Sequence, residues 1–311
     1  MAENKNAQQV REITDKLEQG IKELFESERF KEYLRTMSKF YNYSFNNTLL
    51  IAMQKPEATY VAGYTSWQRN FDRQVMKGEK GIKILAPAPY KVQEEREKID
   101  PATQKPVIGA DGKAVTETVE VLRPAFKVVS VFDVSQTDGK ELPDIIVDEL
   151  KGTVENYEAF FDALRQESPV PISFEDIPGD AKGFFSPVES RIAIQEGMSE
   201  IQTVKTAIHE IAHAKLHAVK PDEKAAPEDK KDRHTKEVEA ESVAYTVCQR
   251  YGIETSDYSF GYIAGWSSGK ETKELKSSLD TIRKTAAEMI EGIDAKLKVL
   301  LAEKAQSAEM E

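Results

Sequence analysis

Apolar residues recur along this chain at two periods, and the switches between them mark its elements. They return every three or four positions at Val10, Ile13, Leu17, Ile21 and Leu24, which predicts an amphipathic helix from Ala7 to about Ser27. A second helical stretch, ERFKEYLRTMSKFYNYSFNNTLLIAMQ, ends before Pro56. GIKILAPAPYKV then alternates as a strand does, and VLRPAFKVVSVFDVSQT returns as an apolar strand. Between them, Lys91 to Glu120 is charged and carries the turn signals DPATQKP and GADGKA, so it predicts a long hairpin.

Beyond TDGKELP, read as a junction between domains, residues 152–166 predict a helix, and VPISFEDI, GFFSP and RIAIQ predict short strands. RIAIQ stands just ahead of the next helix, where it would rim a cleft and pair with an extended peptide through its backbone. YSFGYIAGW reads as a short helix. In the last segment Leu275, Leu279, Ile282, Ala286, Met289, Ile293 and Leu297 repeat by three and four, giving a long amphipathic helix that packs on its own domain rather than in a coiled coil. The pattern is that of an α+β protein of two domains, 1–140 and 141–311.

The stretch TAIHEIAHAKLH, residues 206–217, carries the most specific chemistry. Ser199 and Gln202 form a capping-box pattern, and Ile201, Val204, Ile208, Ile211 and Leu216 supply a buried face. On a helix of about 3.6 residues per turn, His209 and His213 lie one turn apart on one face with Glu210 beside them. Two imidazoles then hold one metal while a carboxylate reaches its bound water, the arrangement of a zinc hydrolase. Only four histidines exist in the chain, and three of them share this face, which argues against ordinary surface or core histidines. His217 is a further candidate, as a ligand or substrate-site residue or as a residue facing solvent.

A catalytic zinc site takes three protein ligands and leaves a position for water. The candidates for the third lie in KEVEAESVAYTVCQRYG, beyond the polar linker AVKPDEKAAPEDKKDRHT. Periodicity assigns Glu239, Ser242, Thr246, Gln249 and Arg250 to a polar stripe facing water, and Glu237 and Glu241 to another side. Glu237 is therefore the expected ligand. Glu241, one turn later, is the expected acceptor that orients a histidine through its other ring nitrogen, and the two roles remain exchangeable. Against Glu237 stands the preference for acids in a first helical turn. His234 and Cys248 are weaker rivals. Zinc is the expected metal, but such a donor set also accepts manganese, cobalt or nickel.

The formal charge is −11, distributed as about +2 over residues 1–140 and −13 over 141–311, so the histidine-bearing half is the acidic one. In the first half, Arg69, Arg73, Lys77, Lys80, Lys83 and Lys91 alternate with Tyr60, Tyr64, Trp67 and Phe71. Cations that follow phosphates and rings that stack on bases are what a nonspecific single-strand binder needs. A basic face over an aromatic core has the same composition. The preceding helical stretch adds Arg35, Lys39, Tyr43, Asn46 and Asn47. One cysteine permits no internal disulfide, the N-terminus lacks the apolar run of a signal peptide, and no apolar run approaches the ~18 residues of a membrane span. These features predict a cytoplasmic protein without a membrane partner.

YSFNNTLLIAMQKP, VAGYTSWQ with KGEKGIKILAPAPYK, and FKVVSVFDVSQT resemble the N-terminal domain of ArdC-type antirestriction proteins, which implies single-stranded DNA binding. The HEIAH helix, EVEAESVAY and GYIAGW resemble that family's zincin-like metallopeptidase domain, related to the ImmA and IrrE metalloproteases. The resemblance covers nearly the whole chain except the extreme N-terminus, the 91–120 hairpin and the linker after His217. It implies that His209, His213 and Glu237 are metal ligands and Glu210 the catalytic acid or base. Tyr245, Tyr262 and His217 are candidate oxyanion or substrate contacts. Two functions follow: a single-strand-binding antirestriction protein of a mobile element with a gluzincin-like domain, or a zinc endopeptidase that cleaves a repressor or host protein and binds protein through its N-terminal domain.

Overall fold

The computed structural model describes residues 5–101, 103–109, 112–142, 154–217, 231–253, 258 and 260–309. In chain order its elements are α1 (Lys5–Leu24), α2 (Ser27–Lys39), α3 (Phe45–Gln54), β1 (Val61–Gly63), α4 (Tyr64–Phe71), β2 (Arg73–Val75) and β3 (Ile82–Pro87). There follow β4 (Tyr90–Glu97), β5 (Thr116–Arg123), β6 (Phe126–Asp133), β7 (Thr137–Gly139), α5 (Val154–Glu167), β8 (Ile172–Glu175), β9 (Gly183–Ser186) and β10 (Arg191–Gln195). Four helices complete the described chain: α6 (Glu200–His217), α7 (Arg233–Arg250), α8 (Ile263–Ser267) and α9 (Thr272–Glu309). The mixed α and β content is as the periodicity predicts. The long helical stretch before Pro56 is two helices, because Ser44 caps α3 by accepting from the Asn47 amide. The linker at 218–230 and part of the TDGKELP junction region, from 143 onward, lie outside the described residues.

Two compact units emerge, one of Met1–Lys16 with Lys83–Ser130, the other of Leu17–Ile82 with Val131–Glu311. In the first, β4 and β5 form the predicted hairpin, antiparallel with Tyr90 opposite Arg123 and Glu97 opposite Thr116. Its side chains are mostly exposed, and Lys91 pairs with Glu120 while Arg96 and Arg123 both pair with Glu94.

In the second unit, residues 61–63 of β1 pair antiparallel with 131–133 of β6. Asp133 organises this corner: its carboxylate accepts from the amides of Thr59, Tyr60 and Ser135 and from the Ser135 hydroxyl. β10 is the centre of a three-stranded sheet, parallel to β8 and antiparallel to β9. Both edges of β10 are thus occupied, so the expectation that RIAIQ offers a pairing edge is corrected: the outer position next to it belongs to β9.

Helix α7 packs against α2, α6, α8 and α9. The stripe expected to face water is therefore inside, with Glu239, Ser242 and Thr246 each 0% exposed. Polar periodicity marks a wet face only when no neighbouring element claims it; here Glu239 and Thr246 find partners inside, while the buried Ser242 hydroxyl has no hydrogen-bond partner among the described residues. Lys231 Nζ reaches both Glu239 oxygens at 2.6 and 2.8 Å, Ser278 Oγ donates to Glu239, and Thr246 Oγ1 donates to the Ser242 carbonyl. Helix α9 buries its whole predicted stripe from Leu275 to Leu297 against α5 and α7 of the same unit. At Gly292 a Cβ would overlap the Glu167 carboxylate, which is held between Lys215 and Lys296 at 2.7 and 2.5 Å.

Candidate metal centre

Helix α6 is fixed from below by the β9–β10 side of the sheet. Ile192, Ala193 and Ile194 of β10 are fully buried, as are Ala207, Ile208, Ile211 and Ala212 of the helix. Gly183 allows the close approach, since a Cβ there would lie 2.6 Å from Thr206 Cγ2. Ile201, expected on the buried face, is 54% exposed because it sits in the first turn, short of the main contact. Ser199 Oγ accepts from the Gln202 amide at 3.3 Å, one arm of the predicted capping box.

The opposite side of α6 carries the chemistry. His209 and His213 bring their Nε2 atoms within 3.1 Å, and Glu237 Oε2 stands 3.9 Å from the first and 3.4 Å from the second. A tetrahedral ion with bonds of ~2.0–2.1 Å separates its ligand atoms by about 3.3 Å. The three donors thus fit one ion, and among the described residues they are the group of histidines and acids that converges in this way. Burial, reinforced by the neighbouring His213, lowers His209 to about 4, so its imidazole is neutral at pH 7. His213 donates toward Glu237, which holds that carboxyl below its ordinary range against the opposing effect of burial.

Glu237 is not in a first helical turn. Asp232 caps α7, accepting from the Thr235 amide and hydroxyl at 2.8 and 2.9 Å, so the helix starts before the sequence pattern suggests and Glu237 falls in the second turn. The dipole explanation for an acid there loses its force.

Glu210 is 8% exposed. Burial raises its carboxyl to about 7, opposed by His213 and by the Phe185 amide of β9, which donates to it. Glu210 and His209 line a cleft of about 410 Å³ with Lys182, Lys205, Glu241 and Tyr258. Glu241 accepts from the Tyr262 hydroxyl, whose ring lies 5.6 Å from that of His234. His234 itself is exposed and outside the converging group.

Two expectations are corrected. Tyr245 is 2% exposed, with its ring between those of Tyr258 and Phe260, so it is core, and Tyr258 takes its place on the cleft wall. No periodicity flagged Tyr258. His217 does not face solvent freely: its Nε2 lies 3.1 Å from the Lys236 carbonyl, and burial and His213 lower its pKa to about 4. Cys248 is buried in the core of α7.

The expected DNA-contacting residues separate by burial. Trp67 is fully buried and donates to the Phe132 carbonyl at 2.9 Å, with Tyr60 and Phe71 packed on its ring, so it cannot stack on a base. Arg73 spends its guanidinium on Thr137, Gly139 and Lys140, tying β2 to β7. Lys39 donates to the Ala58 carbonyl at 3.2 Å, and Tyr43 turns its hydroxyl to the Val61 carbonyl. Arg35, Asn46, Arg69, Lys77 and Lys80 are exposed, and Asn47 is half-buried. Lys83, in the other unit, is exposed and donates to Ser130 Oγ at 2.6 Å. Tyr64, at 58% exposed, is the open ring of the aromatic quartet.

Residues 4–132 match the N-terminal domain of anti-restriction factor ArdC. An uncharacterized Bacillus anthracis protein, pXO2-81, is 30% identical over 97% of this chain and 54% of its own length. The DNA primase TraC of Escherichia coli is 29% identical over 65% of this chain and 14% of the primase. The chain thus spans about half the length of the first relative and a small part of the second. Crystal structures of the antirestriction ArdC protein from the R388 plasmid, metal-free and Mn(II)-bound, are 22% identical, with TM-scores of 0.48 and 0.46. They cover 83% and 82% of this chain, and 85% and 83% of theirs. Over residues 4–132, then, this chain carries a domain of the type found at the N-terminus of ArdC antirestriction factors.

Proposed function

We propose that this is an antirestriction protein of a mobile element, with residues 1–140 binding single-stranded DNA and residues 141–311 forming a zincin-like domain with a metal-dependent hydrolytic site. The match of 4–132 to the ArdC N-terminal domain supports the first half. The observation that carries the second is the convergence of His209, His213 and Glu237 beside the buried Glu210. His209, His213 and Glu237 would hold a divalent ion, zinc in our reading. Such an ion supplies Lewis acidity, polarising a carbonyl and lowering the pKa of a bound water.

The remaining work belongs to side chains. Glu210, raised to about 7 and open to the cleft, takes and returns a proton near neutral pH. The Phe185 amide orients its carboxylate. Tyr262 donates its hydroxyl to Glu241, which lines the cleft, and is the candidate hydroxyl donor there. On the DNA side, Arg69, Lys77, Lys80, Arg35 and Asn46 supply cations and amides, and Tyr64 supplies a ring. No described helix is long and apolar enough to cross a membrane.

One observation favours a second function, a zinc endopeptidase acting on a repressor or host protein. Burial of Trp67 and commitment of Arg73 thin the set of groups open to nucleic acid. Fluorescence anisotropy of labelled single- and double-stranded oligonucleotides at two salt concentrations, with metal-replete protein and Glu210→Gln, separates the two. Salt-sensitive, single-strand-selective binding by both proteins is the expected result. Absence of binding by either at low salt would reject the DNA-binding half and favour the endopeptidase. A protein that takes up no stoichiometric divalent ion would reject the metal-dependent half.

A further inference from the structure

The HEIAH helix carries a third histidine one turn past His213, and it is not among the converging donors. Its ring lies 5.5 Å from that of His213, and its Nε2 lies 3.1 Å from the carbonyl oxygen of Lys236. A carbonyl only accepts, so Nε2 carries the proton and donates. Lys236 immediately precedes Glu237. One hydrogen bond therefore joins the last turn of α6 to the peptide unit that leads into the third donor. A helical carbonyl has a second lone pair, so this bond needs no break in the α7 ladder.

The connection matters because local sequence does not set the register between these two helices. His217 and Arg233, where α7 begins, are separated by fifteen residues, and Glu237 must still arrive within a few tenths of an ångström of a workable ligand distance. The Glu237 side chain is itself about half exposed and receives little packing that would fix it. Its backbone has to be placed instead, and the His217 contact is made one residue away.

We propose that His217 is a positioning residue: its hydrogen bond to the Lys236 carbonyl holds the ligand-bearing turn of α7 against α6, so that Glu237 reaches the nitrogens of His209 and His213. The inference rests on the reading of those three residues as ligands, and it takes His217 out of substrate binding.

Zinc competition against a chromogenic chelator tests it, with metal-free thermal melts recorded in parallel. His217→Ala is expected to bind zinc about 10–100-fold more weakly, while His217→Gln, whose amide can donate to the same carbonyl, stays within about threefold of wild type. If the contact acts through Glu237, the double variant His217→Ala/Glu237→Gln binds no more weakly than Glu237→Gln alone. Wild-type affinity in His217→Ala, or full additivity in the double variant, would overturn the proposal. Should the alanine variant not fold, His217→Leu against His217→Gln makes the same comparison, and equal affinities reject it. If wild-type protein binds no zinc, or Glu237→Gln binds it unchanged, the ligand assignment fails and the positioning role with it.

Discussion

The pentapeptide 209–213 and the stretch 60–80 pose the same problem, since in both the residue types suggest a site, yet they fare differently in the fold. In the pentapeptide, two histidines are spaced by one turn of a single helix, and a helix is rigid enough that spacing alone sets the separation of its side chains. Their Nε2 atoms meet at 3.1 Å. In the stretch 60–80 the signal is composition, cations mixed with rings, and composition does not say which way a ring turns. Tyr60, Trp67 and Phe71 turn toward one another, and only Tyr64 stays open. Spacing on one rigid element carries geometry, whereas residue type spread over short elements does not.

The largest effect that sharpens this contrast is expected at Trp67. Replacing it with alanine empties the centre of the aromatic cluster and removes the bond to the Phe132 carbonyl, at a cost of about 3–5 kcal/mol in urea unfolding. Unchanged stability together with lost oligonucleotide binding would break the contrast, because Trp67 would then be a contact residue after all. Next comes the pair on α7. Glu237→Gln is expected to weaken divalent-metal binding by at least about 100-fold and Glu241→Gln by about 10-fold or less, read by chelator competition. The opposite ranking would exchange their roles.

Sequence legibility followed the same line. The first and last helices, the 90–123 hairpin, the three short strands before α6 and the buried stripe of α9 follow from period and turn signals, whereas α4 and the three-residue strands β1, β2 and β7 carried no such signal. The polar stripe of α7 misled, since a central helix meets neighbours on more than one side and Glu239 is neutralised by Lys231, a residue from outside the helix. Tyr258 on the cleft wall and the His217–Lys236 contact were invisible, because each depends on a backbone placed by distant chain. The motif FKVVSVFDVSQT, which marks the family resemblance, includes a residue whose work is structural: Asp133 binds three backbone amides.

Asp133 gives a test of intermediate size. Burial alone would raise its carboxyl, but the Ser135 hydroxyl and the amides of Thr59, Ser135 and Tyr60 outweigh that and hold it below the ordinary 3.8. A depressed folded-state pKa contributes stability that is present above the unfolded value and lost as pH falls through the folded one. Stability curves of wild type and Asp133→Asn should therefore differ by about 2 kcal/mol at pH 7 and converge below about pH 4. A difference that persists unchanged to pH 2 would mean that the charge is not what holds this corner. Smaller still is Tyr64→Ala, expected to weaken single-strand binding by about 1 kcal/mol with no shift in thermal stability, the reverse of the Trp67 pattern.

The smallest expected effect lies at Lys77 and Lys80, which are exposed between β2 and β3. A lysine that neutralises one phosphate of a single strand contributes about 0.7 to the slope of log K against log salt. Lys77→Gln and Lys80→Gln should each lower that slope by about this amount in anisotropy titrations, uniformly across oligonucleotide sequences and with unchanged stability. Arg73→Gln should behave differently despite carrying the same charge, because its guanidinium already serves Thr137, Gly139 and Lys140. It should lower stability, and in protein that remains folded it should leave the salt slope where it was. If instead all three substitutions reduce the slope equally, burial and bonding do not separate contact cations from structural ones in this segment, and composition was the better guide.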